Sequence, residues 1–262
     1  SGTGKDLRGY GNTNDFTYMA GGQYTYNWEK CLFMPAQFTG GTEYTYDKLH
    51  DEILGYNRNI KQTVHTESLF MQNEWKNDMW SFLVGGRLDK HNMIDNAIFS
   101  PRITLRYNPI KDINFRLSYS TGFRAPQIYD EDLHVSAVGG EISVISSDPD
   151  LKPEKSQSLS ASMDLYHTLG ETPVNFRIEG FYTNLKNVFV LNDIGTNEEG
   201  TILKERTNGE GAKVMGFTAE GELAFSSLLQ VEASATFQRS RYKEVENWSA
   251  TEDLGSKKML RT

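Results

Sequence analysis

Residues 113–126 read Ile113-Asn114-Phe115-Arg116-Leu117-Ser118-Tyr119-Ser120-Thr121-Gly122-Phe123-Arg124-Ala125-Pro126, and this stretch sets the fold. Ile113, Phe115, Leu117, Tyr119 and Phe123 fall on one face; Asn114, Arg116, Ser118, Ser120 and Arg124 fall on the other. Alternation with a period of two marks a strand with one apolar and one wet face. Pro126 lacks a ladder donor and ends the strand. A long acidic connection follows and closes in Asp148-Pro149-Asp150-Leu151-Lys152-Pro153-Glu154, and a new alternation starts near Ser156.

The same pattern extends in both directions. Upstream, strands are expected over about 16–28, 38–47, 62–76, 80–89 and 99–107. Downstream they are expected from 156, 174, 215 and 229. With 113–123 this makes ten strands. The connections alternate in length. Short ones fall near 29–35, 77–78, 108–112, 170–173 and 226–227; long ones near 47–61, 90–96, 125–155, 190–206 and 240–256. Short turns at one end and long loops at the other are the rhythm of an outer-membrane barrel. A soluble sandwich has no reason to gather its long loops at one end. The wet faces carry Arg102, Arg106, Arg116, Arg177, Glu179, Glu220, Glu222 and Glu232. Charges are almost never fully buried unless paired, so these residues suit a water-filled or plugged lumen.

Composition agrees with this. The 262 residues carry a net charge of −8, which gives no bulk attraction for nucleic acid. No run of about 18 apolar residues exists, so no transmembrane helix is expected. The mean hydropathy of −0.56 looks soluble, yet a transmembrane barrel averages its lipid-facing and lumen-facing residues and can look the same. The 13 Tyr, 14 Phe and 4 Trp can supply interfacial girdles, with Tyr24, Tyr26, Trp28, Trp75 and Trp80 as candidates near strand ends. Cys31 is alone, which excludes a disulfide framework. Ser1-Gly2-Thr3-Gly4 shows no signal peptide, and Lys257-Lys258-Met259-Leu260-Arg261-Thr262 looks like another strand beginning, so a fragment is expected. The expected fold is all-β: an antiparallel up-and-down transmembrane β-barrel in part.

Two boxes then point to a family. Gly122-Phe123-Arg124-Ala125-Pro126 resembles the GFRAP box of TonB-dependent outer-membrane receptors. Asp148-Pro149-Asp150-Leu151-Lys152-Pro153-Glu154 resembles the NPDLKPE box that follows it there, with Asp148 in place of the usual Asn. The resemblance implies that residues 1–262 are a partial barrel of about 22 strands, in the Gram-negative outer membrane, with its plug domain outside this sequence. It implies import of a siderophore, haem or cobalamin. The partners would be outer-membrane lipid, the plug, TonB and a small-molecule chelate. No cofactor, catalytic role or metal site is expected. The five His residues show no metal-ligand spacing, and no nucleophile elbow or phosphate cradle is present. The rival from another class is a soluble all-β ligand- or carbohydrate-binding protein; a third is a passive channel.

The connection 127–153, about 27 residues, is far longer than a hairpin needs, and such loops are usually functional. It offers Tyr129, Asp130, Glu131, Asp132 and His134 for ligand capture, followed by a Val138-Gly139-Gly140 hinge. Haem-uptake receptors of this family place an axial His in the interval between the boxes, which offers His134 as a haem ligand against the simpler reading of a solvated loop histidine. Asp130, Glu131 and Asp132 offer oxygen ligands for Ca²⁺, against a solvated acidic loop. The acidity favours a neutral or cationic chelate. Arg102, Arg106, Arg116, Arg177, Glu179 and Glu220 are expected to face the lumen, and Phe99, Ile103, Leu105, Phe115, Leu117 and Tyr119 to face lipid.

Overall fold

The computed structural model describes residues 11–53, 58–128, 136–138, 141–170, 172–198, 200, 202–225, 229–247 and 255–258. Within these residues every regular element is a strand. The strands are β1 (Gly11–Cys31), β2 (Met34–Ile53), β3 (Arg58–Lys76), β4 (Trp80–His91), β5 (Ile98–Ile110), β6 (Ile113–Arg124), β7 (Ser136–Val138), β8 (Glu141–Ser147), β9 (Glu154–Leu169), β10 (Thr172–Lys186), β11 (Phe189–Thr196), β12 (Ile202–Asn208), β13 (Gly211–Ala224), β14 (Gln230–Asn247) and β15 (Gly255–Lys258).

An 11-stranded sheet runs β1-β2-β3-β4-β5-β6-β9-β10-β13-β14-β15. All its neighbours are antiparallel, as the expected up-and-down order requires. β1 and β15 are its two edges, so the sheet is not closed. The ten expected strands are all present. The eleventh, Gly255–Lys258, lies where the carboxyl-terminal alternation pointed; residues 259–262 lie outside the described residues.

Register makes one face continuous and apolar, because directly opposed residues share a side of the pleat. One row passes through Phe82, Leu105, Leu117, Ala161, Gly180, Phe217 and Phe237 on seven successive strands. Its neighbour passes through Val84, Ile103, Tyr119, Leu159, Tyr182 and Met215. Phe99 is 64% exposed and Leu117 47%. So large an apolar surface does not stand in water on a soluble protein; it is the lipid face. Aromatics gather at its short-turn end: Phe33 stacks on Trp75, Trp75 on Phe82, and Trp80 on Tyr107. Trp75 Nε1 donates to the Cys31 carbonyl at 2.9 Å. An apolar ring with a polar handle is the side chain an interface favours.

The first turn is tighter than the sequence suggests and the second slightly wider. β1 and β2 are joined by Leu32 and Phe33 alone, with Leu32 at φ 62°. The Asn77-Asp78 turn also takes in Met79, because Asn77 Oδ1 caps the Met79 and Trp80 N–H groups at 3.0 and 2.7 Å. Pro109 sits inside β5 beside a bulge between Tyr107 and Ile110, where the ladder needs no donor from it. The Ser226-Ser227 turn lies outside the described residues.

The long loops need larger corrections. The expected loop 47–61 is mostly strand: β2 runs to Ile53 and β3 begins at Arg58. Above the apolar band both faces are wet, so alternation disappears while the backbone ladder continues. The expected loop 190–206 is a hairpin of β11 and β12, and the loop 125–155 contains β7 and β8. β14 likewise runs on to Asn247. β7, β8, β11 and β12 form a second sheet in the order β11-β12-β8-β7.

Candidate functional site

The second sheet is the candidate site. It joins two connections that leave the same end of adjacent strands. β8 pairs with β12 in parallel, from Ser143 opposite Ile202 to Ser147 opposite Arg206. Parallel pairing needs partners distant in sequence, and here each comes from a different loop. β7 folds back on β8, with Val138 opposite Glu141.

A fastener beneath this sheet is built by the two boxes. Pro126 ends β6 as expected, and Arg124 stands opposite Glu154 across the β6–β9 ladder. Asp148 Oδ1 accepts the Asp150 N–H at 2.8 Å, and the Asp148 carbonyl accepts the Leu151 N–H at 3.1 Å. An Asn carbonyl oxygen would do the same work, so the departure from the family's box preserves the turn. The Asp148 N–H donates to the Arg206 carbonyl at 3.0 Å and so extends the parallel ladder. Asn208 Nδ2 donates to the carbonyls of Lys152 and Asn187, both at 2.9 Å, and its Oδ1 accepts the Lys152 N–H at 2.7 Å. Asn187 sits at φ 54°, a region Asn tolerates.

This end also holds the fold's dry material. Among the described residues, the buried apolar side chains are Ala36, Ala125, Leu151, Val188 and Ala212, and all but Ala36 lie in the fastener segments. They end or begin the neighbouring strands β6, β9, β10 and β13. Arg124 lies over the Phe189 ring at 5.6 Å. Burial raises the Glu154 pKa, opposed by the positive charge of Arg124. On its strand Lys155 and Gln157 replace the apolar residues of the lipid face, so Glu154 lies beyond the apolar band. The foot of the long loop is tied down as well: Ile128 N–H donates to Gln62 Oε1 at 3.1 Å.

The polar face below carries the predicted charges. Arg177 Nε meets Asp164 at 2.5 Å and its Nη1 meets Glu220 at 3.7 Å. Arg87 bridges Glu43 at 2.8 Å and Asp89 at 2.7 Å. Arg106 and Arg116 are direct ladder partners, and Glu179 faces Ser162 and Thr218. Arg102 stands opposite Ser120. Tyr129, Asp130, Glu131, Asp132 and His134 lie outside the described residues, so neither the Ca²⁺ nor the haem possibility receives a geometry. Among the described residues no group of His, Cys, Asp and Glu could hold a metal ion.

Sequence reasoning missed Asn187, Arg206 and Asn208. Asn208-Gly209 was a legible turn signal. Their bonds to the second box join Asn187 to Pro153, 34 residues apart, and Asn208 to Lys152, 56 apart, while Arg206 meets Asp148 from about as far along the chain, which no local pattern reveals.

An open antiparallel sheet with one lipid face, one charged face and long loops at one end defines part of an outer-membrane barrel. The family model described as "TonB dependent receptor-like, beta-barrel" matches residues 1–258, and the chain belongs to that family. The soluble all-β alternative is thereby set aside. An iron-regulated outer membrane virulence protein of Vibrio cholerae is 25% identical over 215 residues, covering 78% of this chain and 32% of that protein. The chain thus spans about a third of this relative. The siderophore receptor PirA of Pseudomonas aeruginosa superposes with a TM-score of 0.72 at 17% identity, over 87% of this chain and 43% of that one. The ferric enterobactin receptor PfeA of the same organism gives 0.68 at 18%, over 86% and 36%.

Proposed function

We propose that the full-length protein is an outer-membrane receptor that binds and imports an iron chelate of the siderophore type, driven through TonB and a plug domain beyond these residues. The observation that carries this is the β8–β12 parallel ladder. It fuses two outer loops into one platform whose feet are fixed on adjacent barrel strands. A rigid scaffold presenting binding loops is a usual division of labour. The names of the similar proteins favour a siderophore over haem or cobalamin. The acidic run 130–132 favours a chelate whose approaching face is neutral or cationic. Transport, not catalysis, is the proposed role.

The test is uptake of radioiron-labelled chelates by a Gram-negative strain stripped of its own siderophore receptors and expressing the full-length protein. Accumulation of at least one chelate that stops when TonB is deleted is the expected result. Entry independent of TonB would favour a passive channel and contradict the proposal.

A further inference from the structure

Past the apolar rows, at the long-loop end, the outward wall from β9 to β14 carries positive charge alone. Lys155, Lys186, Lys213, Arg239, Arg241 and Lys243 continue the outward positions of their strands, and all six are exposed. Lys155 stands opposite Lys186, and Lys213 opposite Arg241. Lys243 Nζ reaches over β13: it lies 3.2 Å from where a Cβ on Gly211 would stand, and Gly211 is the ladder partner of Lys186. Among the described residues no carboxylate takes an outward position at this level of the wall, and none pairs with these six. Like charges so opposed repel. The rest of the sheet does not behave this way. On the polar face Arg87 and Arg177 are each flanked by carboxylates. At the same level of the outward face on β3 and β4, Lys90 stands opposite Glu67.

Height and neighbours narrow the occupant. Lys213 and Arg241 lie two residues beyond Met215 and Arg239, a rise of about 7 Å along a strand. The headgroup layer on each side of the hydrocarbon is roughly 5–8 Å deep, so the cations stand at its level. Directly below, Phe217 stacks on Phe237 with centroids 5.0 Å apart, and both rings are exposed. A soluble anion uses the cations and leaves the rings without a partner; an uncharged lipid does the reverse. An amphiphile with a strongly anionic head uses both. Arg forks and Lys ammonium groups suit phosphate oxygens. β9, β10, β13 and β14 are successive neighbours, so the cations spread over about 14 Å of sheet, wider than one phosphate group can reach.

We propose that the outward wall of β9, β10, β13 and β14 is a binding site for a lipid of the outer leaflet whose headgroup carries two or more phosphates, held by Lys186, Lys213 and Arg241 with its acyl chains on Phe217 and Phe237. The site rests on the reading of the long connections as outer loops, and it is separate from chelate capture.

The test is native mass spectrometry of the full-length receptor, purified from outer membranes and delipidated, against added diphosphoryl lipid A, its dephosphorylated form and phosphatidylglycerol. Diphosphoryl lipid A is expected to bind at least tenfold more tightly than either of the others. Lys186→Gln with Lys213→Gln and Arg241→Gln should weaken it at least tenfold; Lys186→Arg with Lys213→Arg and Arg241→Lys should keep most of the affinity. Lys48→Gln with Lys61→Gln and Lys90→Gln removes as many charges from the other wall and should leave the affinity within twofold. Heat-dependent gel migration reports an intact barrel in each variant. If the first triple variant does not insert, Lys213→Gln alone carries the comparison. Equal binding of the dephosphorylated lipid, a preference for phosphatidylglycerol, displacement by equimolar inorganic pyrophosphate, or an equal loss from both triple Gln variants would each overturn the site. TonB-dependent chelate uptake is measured on the same variants. Uptake absent while lipid binding is intact overturns the proposed transport and leaves the site standing; lipid selectivity absent while uptake is intact overturns the site alone.

Discussion

Asn208 clasps Lys152 in both directions, its Nδ2 donating to the Lys152 carbonyl at 2.9 Å and its Oδ1 accepting the Lys152 N–H at 2.7 Å. One side chain thus stands in for a neighbouring strand. It fixes the base of the β11–β12 hairpin to the second box, so the two long connections share one foundation.

Substituting Asn208→Ala removes both bonds and the bond to the Asn187 carbonyl. The clasp on Lys152 is solvent-exposed, so water replaces part of it, and the expected cost is about 1 kcal/mol rather than the full penalty for orphaned buried groups. Hydrogen exchange over residues 187–210 should speed up severalfold while exchange in β9 and β10 stays unchanged. Equal acceleration throughout the barrel would contradict a local clasp.

Gly211 begins β13 at φ 141°, and a Cβ there would lie 2.4 Å from the Leu185 carbonyl oxygen. Gly211→Ala combines a disfavoured backbone with a clash against main chain. A loss of about 1–3 kcal/mol is expected, read as a lower denaturant midpoint of the refolded barrel. A midpoint equal to the parent's would show that the β10–β13 junction has room to relax.

The apolar rows dictate how charges behave. Leu105 lies between Phe82 and Leu117 on the lipid face. Leu105→Arg should cost about 2–4 kcal/mol near the membrane midplane, measured by folding into lipid vesicles. Thr104→Arg, on the opposite face, should cost far less. Similar costs at both positions would deny the assignment of faces.

The barrel was legible because membrane burial writes itself into alternation, residue by residue, as from Phe99 to Tyr107 and from Ile113 to Phe123. The loop sheet was not. Val190 and Leu191 are followed by Asn192 and Asp193, and Lys204, Glu205 and Arg206 by Thr207, so β11 and β12 carry no sustained period of two. Their strands exist because backbone groups in β8 and β12 satisfy one another across distant sequence. The boxes were found by resemblance, but their work with Asn187 and Asn208 became visible only in three dimensions.

Glu154 supplies a pH signature. Burial raises its pKa, with Arg124 opposing. A carboxyl group whose folded pKa is raised favours the folded state when protonated. That contribution is present below the unfolded value, about 4.3, and is lost as pH rises through the raised value. The fastener of the parent protein should therefore loosen across that interval, while Glu154→Gln should flatten the profile. Proteolytic nicking between 125 and 153 as a function of pH is the readout. Identical profiles for parent and variant would show that Glu154 does not govern it.

The most direct test removes the platform. In the full-length receptor, Asp132–Ser147 is deleted, taking β7 and β8 with it, and surface expression is checked separately. The dissociation constant for a ferric siderophore, the proposed ligand, is then measured on intact cells. A loss of at least tenfold, about 1.4 kcal/mol, is predicted, because β12 loses its parallel partner and the capture platform loses half its strands. An affinity within twofold of the parent, about 0.4 kcal/mol, would contradict the account.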